Sequence, residues 1–491
     1  MFGTGTQVHD YWEPPDTSRS RELVEELVAA SRAENQAAAR RLAAVGELFE
    51  MRRVEHGEEA DWAVDTWAAV GAEVAAALRV SLGKAGSFMA YGLAMSRLPA
   101  VAAVFAAGDI DLMLFTTIVY RTELITDHAV LADVDSLLAL RAARWPSMTR
   151  GKLTAEIDRV IKTRDPDAVR RTRERVRDRD VTVWQGGEDT ADVSGRLFAA
   201  DAALLDKRLD ALAATVCAQD PRTLGQRRAD ALGALAAGAD RLRCQCGGPD
   251  CSATTGTASG VVIHVVANRS SLDGADDIPG YLLGADALIS ADLLRELAAE
   301  AKLRPLLPAG SPVEKGYRPS RALADFVRAR DLTCRAPGCD RPATVCQLDH
   351  TVPFQDGGVT HASNIKCLCM VHHLIKTFWG WKDRQLPDGT VIWTIPDGQT
   401  YVTTPGSALL FPALTNPTGS LPKPTAREPV VGGDRAAMMP RRKTTRAQNR
   451  ARRITAERNE NHLVRRQRDA EIASVLKGSI DPNPEGDDPP F

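Results

Sequence analysis

From Arg21 to about Asp133, apolar residues recur at three- and four-residue spacing: Leu23, Leu27 and Val28, then Leu42, Val45, Leu48 and Phe49. That period puts them on one face of successive helices. From Ser81 to Leu124 it predicts two helices, broken at Leu98-Pro99 and at Ala107-Gly108-Asp109, where proline and glycine interrupt the backbone ladder. Helices also fit Ala132 to Thr163, around Pro146, and Ala199 to Ala218. The pattern then changes. Val181 to Trp184 and Ser194 to Phe198 flank Gln185-Gly186-Gly187-Glu188-Asp189, which predicts a β-hairpin. Gly260 to Asn268 is an apolar, β-branched run and predicts a buried strand. A short helix follows Ser320, and Trp393 lies between two Pro-Asp-Gly turns, which predicts a small β-meander. Beyond about Pro412 the chain turns to Pro, Gly and charge without apolar periodicity, the composition of a disordered segment. The expected organisation is therefore a loose arm (1–20), a mainly α-helical domain with a small β element (21–310), an α+β module ending in the meander (320–411), and a disordered, partly basic tail (412–491).

Composition refines this picture in two places. The 491 residues allow two to four folded units, and 44% hydrophobic with only 5% aromatic content points to Ala/Leu-rich helix packing. The most apolar stretch, Leu98 to Tyr120, is interrupted by Pro99, Asp109 and Asp111, so a span of ~20 apolar residues does not fit there. The N-terminus has no basic segment leading into an apolar run. A cytoplasmic protein with no membrane partner is expected.

The net charge of −2 selects no polyanionic partner, but the distribution is uneven. Asp167 to Arg179 holds six arginines interleaved with acids, which favours a solvated, ion-paired helical face over a phosphate-binding stripe. Arg441 to Arg468 carries eleven basic residues against two acidic ones. It reads equally as a salt-sensitive, non-specific DNA grip or as a solubilising tail.

The nine cysteines are clustered, which in a reducing compartment argues for metal binding over disulfides. Cys334 and Cys339 form a knuckle turned by Pro337-Gly338, and Cys369 and His372 stand three apart at the start of a predicted helix. Three thiolates and an imidazole make a closed tetrahedral set suited to structural zinc. Cys346 and Cys367 flank it as packing thiols, and His361 reads as a surface loop residue. A second group, Cys244, Cys246 and Cys251, supplies only three local thiols of a possible second zinc site, with Cys217 or His264 available to complete it.

Inside the first cysteine frame lie Asp349, His350, Asn364 and His373. A carboxylate and a neutral imidazole converging from strand and helix can hold one divalent ion with positions open for phosphate and water. The adjacent His350 is then free to deprotonate the attacking water, because imidazole titrates near neutrality.

The run Asp349-His350, Pro353, Gly357-Gly358, Asn364, Leu368-Cys369, His373 and Lys376 resembles the HNH, or ββα-metal, nuclease family in its zinc-stapled form. The match covers roughly 45 residues with agreeing spacing. One departure is His372, which replaces the second cysteine of a Cys-x-x-Cys pair. The resemblance implies that Asp349 and His373 bind a catalytic divalent ion (Mg, Mn or Ni). It implies that His350 is the general base, that Asn364 braces the loop orienting it, and that Lys376 contacts a phosphate of nucleic acid. DNA is the implied substrate. The whole layout, with Leu98-Pro99-Ala100-Val101, Ala107-Gly108, Arg175 to Arg179 and Gly195-Arg196-Leu197, resembles a large actinobacterial family of HNH-signature proteins whose long helical domain has no assigned activity. The expectation is thus a metal-dependent HNH endonuclease; the alternative is a non-catalytic, zinc-stabilised DNA-binding protein.

Overall fold

The computed structural model describes residues 18–146, 148–170, 179–187, 189–249, 251, 264–284, 287–299, 301–306, 312–419, 421 and 438–478. The chain forms two compact units. One comprises Met1–Gly71, Gly83–Arg171 and Arg441–Phe491; the other comprises Ala72–Leu82 and Thr172–Pro440. The boundary expected near residue 310 does not separate them, and the segment 21–310 contributes to both.

The first unit is helical. The long helix Ser18–His56 is followed by Leu82–Arg97, Pro99–Ala106, Leu112–Arg121, His128–Ala142 and Arg150–Arg164. Leu42, Met89, Val101, Phe105, Phe115, Ile118, Val134, Leu138, Ile157 and Ile161 are buried and form its core. Only the second half of the long helix contributes to it: Leu23, Leu27 and Val28 keep the helical period but are exposed. The break expected at Leu98-Pro99 is a bend of 112° between helices. Pro99 opens the second of these, and the buried Asp135 carboxylate accepts from Ala100 N (2.8 Å) and Val101 N (3.0 Å). This satisfies amide donors that an N-terminus leaves unpaired and places negative charge at the positive end of the helix dipole. Among the described residues no single helix is long and apolar enough to cross a membrane; the bent pair passes that test only jointly.

Two helices cross at glycines. A Cβ on Gly92 would lie 2.5 Å from Leu42 O and 2.8 Å from Gly46 N, both backbone atoms that cannot swing away. Gly92→Ala is expected to cost about 1–3 kcal/mol through forced separation of the helices, measured as a lowered Tm.

The tail expected to be disordered carries instead the helix Arg446–Gly478. It packs through charge. Arg442 and Arg446 pair with Asp65, Arg450 and Arg453 with Glu123, Arg458 with Asp165, and Arg465 with Asp167. Asn461, buried, donates to Asp167 O and Val169 O at 2.8 and 3.0 Å. Much of the basic segment is thus neutralised by its own unit. Arg171, Arg173, Arg175 and Arg177 of the earlier arginine run lie outside the described residues.

This attachment depends on pH. Hydrogen bonds from Arg465 lead in holding Asp167 below its ordinary 3.8; burial opposes ionisation of Glu123, but Arg170, Arg450 and Arg453 outweigh it and hold that carboxyl below 4.5. Depressed carboxylates stabilise fully above their unfolded values, and the contribution is lost as pH falls through the folded ones. Hydrogen exchange of Arg446–Gly478 should therefore accelerate on acidification below about pH 4, and added salt should shift that onset upward.

The second unit holds four small sheets among the described residues. The expected hairpin is Asp180–Gly187 paired with Thr190–Arg196. The helices Ala199–Ala213 and Leu224–Ala236 follow. The described part of the expected strand from residue 260, His264–Val266, joins Gly280–Leu283 and Ala287–Ile289 in an antiparallel sheet; residues 260–263 lie outside the described residues. Val266 and Tyr281 of this sheet share a core with Ala329, Leu332 and Phe411, so residues 320–411 are not packed apart from what precedes them. The helix Arg321–Asp331 leads to antiparallel strands Gln347–His350 and Ile365–Leu368, then the helix Met370–Phe378. The expected meander follows as Lys382–Gln385, Val391–Thr394 and Thr400–Thr403. Trp393 is fully buried and donates its indole N–H to Arg335 O at 2.9 Å.

Candidate functional site

Cys334, Cys339, Cys369 and His372 converge, with ligand atoms all within 4.8 Å of one another. Nδ1 of His372 lies 3.3 Å from Cys369 Sγ and 3.6 Å from Cys334 Sγ, and the Cys339 and Cys369 sulfurs are 4.0 Å apart. Tetrahedral Zn²⁺ with ordinary Zn–S and Zn–N bonds needs ligand separations of about 3.5–3.8 Å. The donors therefore fit such an ion, and His372 stands in for the fourth thiolate. Cys346 and Cys367 are buried outside the group, as packing thiols. His361 is buried rather than on the surface, and its Nδ1 accepts from Ser363 N at 3.1 Å.

The paired strands and the helix bring Asp349 and His373 together. His373 Nε2 lies 3.4 Å from Asp349 Oδ1. His373 Nδ1 is 2.5 Å from Gln347 Oε1. An amide oxygen only accepts, so Nδ1 carries the proton and Nε2 presents its lone pair. This is the arrangement in which a second partner orients a ligating imidazole. Strand alternation places Gln347 on the same face as Asp349, a signal the sequence contained.

The other oxygen of Asp349 is occupied. Lys366 Nζ and Lys376 Nζ lie 2.6 and 2.7 Å from Oδ2, and both lysines also pair with Asp383. Burial opposes the charge of Asp349, but the two ammonium groups hold its carboxyl below the ordinary range. Burial likewise opposes the charge of Lys366, yet Asp349 and Asp383 raise its pKa. Oδ1 of Asp349 receives neither lysine, and with His373 Nε2 it forms a two-donor edge that fits one divalent ion.

The side chain of Lys376 turns inward. Besides Asp349 it donates to His350 O at 2.7 Å and Thr351 O at 3.3 Å, and its side chain is 12% exposed. A lysine one helical turn beyond His373 reaches inward because two buried carboxylates draw it there. Lys366, fully buried and opposite Asp349 in the strand register, was not apparent without that register. Lys366→Met should cost about 3 kcal/mol by leaving buried carboxylates undercompensated, read from denaturant unfolding.

His350 follows Asp349 and is buried. Its Nε2 lies 2.9 Å from Thr360 Oγ1, and that hydroxyl donates its proton to Gly316 O at 2.6 Å. Nε2–H is therefore the donor to Thr360, which leaves Nδ1 unprotonated. Burial leads in lowering the pKa of His350, which favours the neutral ring. Tyr317 stacks on it at 5.3 Å between centroids.

Asn364 braces the connecting loop. Its Nδ2 donates to Val352 O (3.1 Å) and Val359 O (2.9 Å), and its Oδ1 accepts from Val352 N (2.8 Å). The glycine pair has two separate causes. Gly357 adopts φ +87°, which L side chains resist, and a Cβ on Gly358 would lie 1.9 Å from Val352 O. From the preceding helix, the buried Arg330 donates to Ala362 O and Ile365 O at 2.7 and 2.8 Å, tying the far end of the loop to the scaffold.

The second cysteine group also converges. Cys244, Cys246 and Cys251 meet Cys217, while His264 is exposed on its strand and outside the group.

The chain belongs to a family described as a domain of unknown function, DUF222, whose model matches residues 29–331. Among its relatives, the uncharacterized protein Rv3776 of Mycobacterium tuberculosis is 47% identical over 467 residues, covering 89% of each chain. The uncharacterized protein Rv2100 of the same species is 46% identical over 494 residues, covering 91% of this chain and 89% of the relative. Their source agrees with the actinobacterial family the sequence resembles. No solved structure matches the chain.

Proposed function

We propose that residues 320–411 form an HNH-type endonuclease that hydrolyses phosphodiester bonds in nucleic acid, with DNA as substrate. The observation that carries this reading is the pairing of Asp349 Oδ1 with an orientated His373 Nε2, beside a buried neutral histidine whose Nδ1 is unprotonated. The strand–strand–helix order around these residues supports it. Asp349 and His373 would hold the divalent ion, which when bound stabilises charge on the phosphate and the departing 3′ oxygen. His350 Nδ1 takes a proton from water; the resulting hydroxide attacks phosphorus, the P–O3′ bond breaks, and the departing 3′ oxygen takes its proton from solvent to leave as the hydroxyl. Thr360 keeps that ring in the required tautomer, and Asn364 holds the loop that carries Thr360. One carboxylate and one imidazole suit Mn²⁺ or Ni²⁺ better than Mg²⁺, so cleavage should be faster with the former two.

The test is nicking or linearisation of supercoiled plasmid by the full chain with Mg²⁺, Mn²⁺ or Ni²⁺, beside EDTA. Metal-dependent cleavage supports the nuclease. Retention of DNA without cleavage under any of the three ions would favour the non-catalytic DNA-binding reading.

A further inference from the structure

We propose that Cys217, Cys244, Cys246 and Cys251 hold a second, structural zinc ion that closes the end of a helical hairpin within residues 29–331. This does not rest on the nuclease reading, because it uses none of the residues of residues 320–411.

The hairpin needs such a closure. Its helices, Ala199–Ala213 and Leu224–Ala236, lie side by side, but Leu212, Ala213 and Ala231 are their only fully buried hydrophobic residues among those described. Leu204 and Leu224 are exposed. So few buried aliphatic groups leave the hairpin little apolar core of its own. Small units of this kind are held by a metal or by disulfides.

The cysteines sit where a metal would supply that. Cys217 lies in the turn after the first helix and Cys244 on the segment that returns to that turn after the second, so joining them ties the returning segment to the turn. All four sulfurs lie within 4.8 Å of one another, none of the four is in a disulfide, and Cys217 and Cys244 are 3.5 Å apart. A Zn²⁺–thiolate tetrahedron needs sulfur separations of about 3.8 Å. Between Cys246 and Cys251, Gly248 N donates to Cys246 Sγ at 3.4 Å, and Cys251 N donates to Gly248 O at 3.2 Å. An amide aimed at sulfur favours thiolate over thiol.

The surrounding polar groups position this loop and leave the sulfurs to the ion. Asp220 accepts from Gln245 N at 3.0 Å and is paired with Arg222, whose Nη2 also donates to Arg243 O at 2.6 Å. Leu242 N donates to Thr215 Oγ1 at 2.8 Å. The residues before and after the thiols are thus hydrogen-bonded across the two helix ends. Four soft thiolates in a tetrahedron select zinc or an iron–sulfur centre.

The experiment is elemental analysis of the full chain purified without chelator, with native-state alkylation mapped by mass spectrometry. The expected wild-type result is two zinc per chain, with Cys217, Cys244, Cys246 and Cys251 protected from alkylation until chelator is added. Cys246→Ala should fall to one zinc, Cys251→His should keep two, and Cys369→Ala should lose the other equivalent while leaving the 217–251 thiols protected. If Cys246→Ala does not fold, the protection pattern of the wild type decides. One zinc in the wild type with these four thiols freely alkylated, a Cys217–Cys244 disulfide in the folded chain, or iron with acid-labile sulfide in place of zinc would each overturn the proposal.

Discussion

His350→Ala is expected to lower metal-dependent plasmid cleavage by about 10²- to 10⁴-fold, the usual contribution of a positioned general base. The expected size follows from the isolation of the proposed base. His350 is buried, its Nε2–H is committed to Thr360, and Nδ1 is the nitrogen left to take a proton. The other nearby imidazole, His373, has its Nδ1 proton held by Gln347 and its Nε2 directed at Asp349, so it does not replace the missing base. Removing the imidazole also removes a stacking partner of Tyr317, which makes thermal unfolding a necessary companion measurement. Loss of cleavage with an unchanged Tm assigns the chemistry to His350. Undiminished cleavage by a folded variant sinks the assignment. Thr360→Val separates positioning from proton transfer: it keeps the base but frees the ring, so it should slow cleavage less than His350→Ala.

The second large effect comes from the metal frame. Cys369→Ser removes the thiolate whose sulfur lies 3.3 Å from His372 Nδ1 and 4.0 Å from Cys339 Sγ. Structural zinc contributes apparent binding energies of about 10–16 kcal/mol, comparable to or larger than the total stability of a domain, about 5–15 kcal/mol. The variant should therefore lose the native packing of Trp381 against Trp393, whose ring centroids are 5.8 Å apart. Tryptophan fluorescence and near-ultraviolet circular dichroism report that directly, and chelation of the wild type should reproduce it. Retained native spectra in a zinc-free protein would show that the apolar core alone holds the module.

The sequence made some of this legible and hid the rest for identifiable reasons. Cys334, Cys339, Cys369 and His372 stood out because metal ligands recur at short, fixed spacings. Asp349, His350, Asn364 and His373 stood out for the same reason, and the structure brings Asp349 and His373 within 3.4 Å. The type of Lys376 suggests phosphate, while its direction depends on Asp383, seven residues later on a strand that had to be placed first. Cys217 and Cys244 are separated by a whole helix, so only the hairpin shows which distant residue completes the set. The helix Arg446–Gly478 was missed because it has no apolar stripe. Its partners Asp65, Glu123, Asp165 and Asp167 lie hundreds of residues away, and charge pairing at that range leaves no periodicity to read.

The path of the chain has a consequence for how the protein is made. The first unit uses segments up to residue 171 and the helix that begins at Arg446, with most of the second unit emitted between them. During synthesis its acidic docking residues, Asp65, Glu123, Asp165 and Asp167, emerge long before the arginines that neutralise them. At typical elongation rates of about 5–20 residues per second, the nascent unit waits tens of seconds with that negative surface uncovered. Ribosome-bound chains halted before Arg441 should accordingly capture added peptide 441–478, whereas released full-length protein should not.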